Sequence, residues 1–103
     1  MVLCMSFNDI VYTASYYGKE HHGKKTASGQ KFNMYDMTAA HKSLPFGTKV
    51  KVTNIKNGKS VIVRINDRGP FSKSRELDLS YSAFQQISSI QNGLVKITYE
   101  VVE

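Results

Sequence analysis

The chain has a single cysteine, Cys4, and no tryptophan in 103 residues. A lone cysteine excludes an internal disulfide, and cysteine thiolates alone cannot assemble a zinc site. No apolar run approaches the length that spans a membrane, and no signal peptide is visible. Met1-Val2-Leu3 is too short to be the apolar segment that precedes a lipid-anchor cysteine. Cys4 therefore reads as a leftover near a chain end, and membrane association is expected only through a lipid anchor in a longer precursor. Repeats, low-complexity tracts and linkers are missing. So is an Arg-rich recognition helix, which weakens any nucleic-acid reading, and no nucleic-acid partner is expected.

What remains describes one small domain with a modest core, burying roughly 60–65% of the unfolded surface. The net charge of +6 is uneven: residues 1–60 hold nine Lys and Arg against three acids, and residues 61–103 hold five against five. A basic face attracts polyanions, a carboxylate-bearing cell-wall polymer among them, although a surface tuned for solubility has the same composition.

Residues 1–8 read as a tail and 9–103 as the domain. Ile10 to Tyr17, rich in β-branched and aromatic residues, reads as a strand. Residues 18–36, marked by Gly18, Gly23 and Gly29, read as a long polar loop of the kind that is usually functional. Lys49–Ile55 and Ser60–Ile65 flank Asn57-Gly58, which predicts a hairpin whose two central residues take positive φ. The period of two places Val61, Val63 and Ile65 on one face, with Asp67 projecting to the same side just beyond the strand. Pro70 must leave the sheet. A helix is predicted from about Tyr81 to Ile90, capped by Ser80 or Asp78, with Ala83, Phe84, Ile87 and Ile90 as its apolar face and Asn92-Gly93 as its stop. Val95, Ile97, Tyr99 and Val101 alternate as a last strand. With several strands, one short helix and no βαβ rhythm, the pattern is all-β, and closure into a barrel would leave no edges to defend.

Three segments stand out: Lys25–Gln30 and Asn66–Pro70, polar and glycine-marked, and Thr38–His41. Together with Ala14-Ser15-Tyr16-Tyr17-Gly18, Leu44-Pro45-Phe46-Gly47-Thr48, Val50-Lys51-Val52-Thr53-Asn54 and Asp78-Leu79-Ser80-Tyr81, their order and spacing resemble the rare lipoprotein A family over nearly the whole chain. The resemblance implies a six-stranded double-psi β-barrel, a fold shared with expansins and barwin. It implies a lytic transglycosylase acting on peptidoglycan glycan strands in cell-wall remodelling or septation, in the cell envelope if the protein is exported, as a monomer and with no cofactor. It also implies functional roles for His41 and Asp67.

The chemistry is consistent with these residues. Cleaving a glycosidic bond needs a proton on the leaving oxygen, so Asp67 must be held protonated by its surroundings. In a lytic transglycosylase the sugar's own 6-hydroxyl then attacks, giving a 1,6-anhydro end, and one carboxyl serves as acid and then as base. His41 is expected to hydrogen-bond Asp67 or the substrate. A paired-carboxylate hydrolase would need a second acid, for which Asp36 and Asp78 are weak candidates. Tyr16, Tyr17, Thr26, Ser28, Gln30 and Arg68 are the expected substrate contacts, with an Arg68–Asp78 pair as the other reading of Arg68. His21 and His22 read as solvated.

The chain departs from the family at two positions. Gln30 stands where many members carry Glu, which keeps a glycan-binding module of expansin type as the alternative to an enzyme. Tyr16 replaces a common Trp and offers a smaller face for stacking on sugar. Thr26, Ser28 and Gln30 would equally serve as loop-ordering residues, and Asp67 as a turn residue satisfying backbone donors.

Overall fold

A computed structural model describes residues 10–102. The expected tail at 1–8, and with it Cys4, lies outside the described residues. The rest forms six strands, β1 (Tyr12–Tyr17), β2 (Thr38–His41), β3 (Lys49–Asn54), β4 (Ser60–Asp67), β5 (Leu77–Ser80) and β6 (Val95–Val101), with one helix, α1 (Tyr81–Ile87). The strands close into a barrel in the order β1-β5-β2-β4-β3-β6. β1 pairs with β5 and β2 with β4 in parallel, and the remaining pairs are antiparallel. This is the all-β, six-stranded double-psi barrel that the sequence led us to expect.

The inner faces of the strands carry Ala14, Ala39, Val50, Val52, Val63, Ile65, Leu77, Leu79 and Ile97. α1 caps this core with Ala83, Phe84 and Ile87, all fully buried. Ser80 is its N-cap, accepting from the Ala83 amide, whereas Asp78, the other candidate cap, sits two residues earlier in β5. The helix stops at Ile87, short of the expected Ile90. Ser88 is extended, and Ser89 caps a separate 3-10 turn over Ile90–Asn92 by accepting from the Gln91 amide. The Ser89 hydroxyl thus draws a nearby backbone donor to itself, which favours a fresh turn over continuation of the helix.

The hairpin departs from the predicted two-residue turn. The β3–β4 register ends at Thr53↔Ser60, so the connection is longer, and only Gly58 has positive φ. The side-chain amides of Asn54 and Asn57 are used instead to donate to the Ile87 carbonyl, at 2.7 and 3.1 Å. This binds the turn to the end of α1. Residues 18–36 are more ordered than their composition implies. A 3-10 turn spans Lys19–His21, Lys25 bridges Lys31, and Phe32, buried, exchanges backbone hydrogen bonds with Gly23 and Lys24.

Candidate active site

Strand pairing places a row of side chains on the outer face of the barrel. Ser15 on β1 is opposite Asp78 on β5, Asp78 is opposite Ala40 on β2, and Ala40 is opposite Asp67 on β4. Their neighbours Ala14, Leu77, Ala39 and Ile65 face the core, as the two-residue period requires. With neighbouring strands about 4.8 Å apart, two spacings separate the Asp67 and Asp78 backbones by roughly 10 Å. Ala40 is the residue between them in the row.

Strict alternation after Ile65 would have sent Asp67 inward. The β2–β4 register shifts between Ala39 and Ala40, pairing Ala39 with Ile65 but Ala40 with Asp67. Asn66 is thus an extra residue in β4, a bulge that re-aims the following side chain. The expectation that Asp67 shares the face of Val63 and Ile65 is corrected: it belongs to β4 and faces the other way.

Asp67, Ala40 and Asp78 line a groove of about 670 Å³ together with Tyr17, Phe71 and Arg75. Asp67 Oδ1 accepts from the backbone amides of Ala27 and Arg68, both at 2.9 Å. Among the described residues Oδ2 faces only the Tyr17 hydroxyl at 3.4 Å, longer than a hydroxyl hydrogen bond usually runs. Oδ2 is the freer oxygen. Tyr17 stacks on the buried Phe32 ring at 4.6 Å. Burial first, then the Asp67 and Asp78 carboxylates, pushes its ionisation well above the ordinary phenol value, so it remains a donor. Asp78 is committed elsewhere: Ser15 donates to it, and Arg75 pairs with it at 3.0 Å. The alternative Arg68–Asp78 pair does not form. Arg68 instead donates to the Leu44 carbonyl at 2.8 Å and lies 4.1 Å over the Phe46 ring, at the groove wall.

His41 faces inward. Its register partner is Leu77, a core residue, and it is 6% exposed. Nδ1 accepts from the amides of Ser43 and Leu44, both at 3.0 Å, which places the ring proton on Nε2, 3.1 Å from the Tyr99 hydroxyl. Tyr99 in turn donates to Glu76. Burial lowers the His41 pKa. Glu76 opposes that shift, and Arg68 and Lys42 add to it. The expected His41–Asp67 hydrogen bond is therefore replaced by a network on the other side of the sheet.

The remaining expected contacts lie outside this groove. Tyr16 points inward, packing on Phe84 and Tyr81 at 4.8 and 6.0 Å, outside the Asp67 groove. Thr26 is buried, and its hydroxyl bonds Ser28 and the Gln30 carbonyl. Ser28 and Gln30 line a smaller, adjacent depression with Asn66, where Gln30 Oε1 accepts from Arg64 at 3.2 Å. Of the histidines read as solvated, His21 lines the Asp67 groove and its ring lies edge-on to Tyr17 at 5.2 Å. Arg75 and Phe71 were not among the expected contacts, and Asp78, weighed only as a second acid or as a partner for Arg68, lines the groove as well. Leu77-Asp78-Leu79 alternates as a strand with the acid outward, which was the available signal. Phe71 is 89% exposed at the groove, and an aromatic just after a turn gave no sign of this.

A family model described as lytic transglycolase matches residues 10–99. The endolytic peptidoglycan transglycosylase RlpA of Vibrio cholerae is 53% identical over 89 residues, covering 86% of this chain and 34% of that protein. The probable endolytic peptidoglycan transglycosylase RlpA of Synechocystis sp. is 51% identical over 90 residues, covering 87% of this chain and 28% of that protein. The chain thus spans about a third or less of these relatives. Among solved structures, the Streptomyces papain inhibitor superposes with a TM-score of 0.75 at 23% identity, over 91% of this chain and 94% of that one. Apo Clavibacter michiganensis expansin superposes with a TM-score of 0.72 at 25% identity, over 90% and 50% respectively.

Proposed function

Because this chain belongs to the lytic transglycolase family that includes RlpA, we propose that it cuts peptidoglycan glycan strands endolytically in the cell envelope, with Asp67 as its acid and base. The supporting observation is the contrast between the two carboxyls of the groove. Asp78 is tied into an ion pair, whereas Asp67 turns a nearly unpartnered Oδ2 outward.

In this reading Asp67 delivers a proton to the glycosidic oxygen as the bond to the anomeric carbon breaks, and the bonding pair leaves with that oxygen. The 6-hydroxyl of the same sugar closes onto the oxocarbenium-like carbon, and its proton returns to Asp67. The products are a 1,6-anhydro end and a new free hydroxyl on the departing strand, and no water is consumed. The Ala27 and Arg68 amides hold Oδ1 still throughout. Tyr17 keeps its proton and steadies the carboxylate between the two half-steps. Gln30, the position where many family members have an acid, lies in the neighbouring depression, so the departure leaves the Asp67 groove intact. Mass spectrometry of digested peptide-free glycan strands tests the proposal. Anhydro-ended fragments are expected. Reducing ends would identify a hydrolase, and the absence of products would favour the glycan-binding module.

Phe71 supplies the apolar face that a pyranose ring stacks on. Truncation in Phe71→Ala should raise KM roughly five- to tenfold, the loss of about 1 kcal/mol of contact, and leave kcat little changed. Initial rates over a range of strand concentrations would show whether KM alone moves.

A further inference from the structure

A histidine that shuttles protons must reach the substrate or the reacting carboxyl, and His41 reaches neither. Strand alternation sets its ring on the core side of β2, while the preceding Ala40 faces the groove. Both ring nitrogens are committed, Nδ1 to two backbone amides and Nε2 to Tyr99. Those amides belong to the segment that follows β2, and the carbonyls of that segment face the groove wall. Leu44 O accepts from Arg68 at 2.8 Å and His41 O at 3.4 Å. Phe46 lies under the same guanidinium, and the Arg68 backbone amide is one of the two donors on Asp67 Oδ1. A continuous chain of contacts therefore runs from the ring to the carboxyl: imidazole, Ser43–Leu44 amides, Leu44 carbonyl, Arg68, Asp67.

We propose that His41 is a positioning residue for the Asp67 site, its Nδ1 acting as the acceptor that shapes the 42–46 segment and so fixes Arg68. The proposal rests on the reading of Asp67 given above, and it assigns the reaction's proton transfers to Asp67 alone. It requires a neutral ring, because a proton on Nδ1 would face two N–H donors. The charged and titratable groups around the ring are Glu76, Tyr99 with Tyr12 tilted against it, Arg68 and Lys42. Because the folded His41 pKa lies below that of the unfolded chain, the unfolded chain takes up the proton first as pH falls. The anchoring is thus present above the ordinary imidazole value and lost as pH drops through the folded one.

Two amide substitutions separate positioning from chemistry. Asn at 41 places its carbonyl oxygen where Nδ1 was, and Gln places its amide near Nε2. His41→Asn should keep cleavage of peptide-free glycan strands within about tenfold of the parent, and should lose the acid-side limb of the pH profile that belongs to the imidazole. His41→Gln should lose roughly a hundredfold, a displacement effect. Amide exchange measured by NMR should show Ser43 and Leu44 protected in the parent and in His41→Asn, and exposed in His41→Gln.

A folded His41→Asn variant with both amides protected but without activity would overturn the proposal, and so would equal activity in the two variants. Should the parent cleave no glycan, the reading of the groove fails instead. The exchange pattern then decides the positioning role alone: protection retained by Asn and lost by Gln supports it, and protection retained by both overturns it.

Discussion

Asp67→Asn should abolish glycan cleavage, lowering kcat by about 10²–10⁴-fold, while the protein folds and binds glycan as before. The asparagine oxygen can still accept from the Ala27 and Arg68 amides, the two contacts that fix the parent carboxyl. Its amide nitrogen takes the place of Oδ2, beside a Tyr17 hydroxyl already at a loose 3.4 Å. Shape, backbone anchoring and groove volume are thereby retained. The only property removed is a proton that can be lent and taken back. Anhydro ends counted by mass spectrometry, beside thermal melts and a glycan-binding isotherm, would resolve the case. A folded Asp67→Asn protein that keeps a tenth of the parent rate would exclude Asp67 as the acid.

Ala40→Leu should be nearly as damaging by a different route. Ala40 is 2% exposed, and its methyl is the floor between Asp67 and Asp78. A leucine there rises into the space a sugar needs and pushes the Asp67 carboxyl from its place. A misplacement of about 1 Å is enough for a loss of roughly 10²-fold in kcat/KM. The accompanying stability loss should be about 1–3 kcal/mol, since the larger side chain meets packed neighbours on two strands. Ala40→Ser, similar in size, should retain most activity. If Ala40→Leu cleaves as fast as the parent, the sugar does not lie across this floor.

Much of this was legible beforehand, for identifiable reasons. The alternation in Ser60–Ile65 and Val95–Val101 marks strands because each lies half in the core. β2 gave no such signal, and β5 only the three residues Leu77-Asp78-Leu79. Each has only four residues, and Thr38–His41 is buried throughout, so periodicity had little to count. The Asn66 bulge was invisible, since an extra residue in one strand is defined only by its partner. That is why the period of two alone puts Asp67 on the wrong face. The direction of His41 was hidden similarly: its motif could be read, but the face it takes depends on Leu77, thirty-six residues away across a strand pair. The aromatic pair Tyr16-Tyr17 divides for the same reason, with alternation sending the first to Phe84 and the second to the groove.

The row Ser15–Asp78–Ala40–Asp67 is drawn from four strands, none of which borders its neighbour in the row along the chain. Two of its three junctions are parallel, so each waits on a long excursion of the backbone before it can form. No hairpin, and no stretch shorter than residues 15 to 78, contains the whole row. The row is therefore assembled only when strands far apart along the chain have paired. A nascent or partly unravelled chain carries each of these side chains but not the row they form.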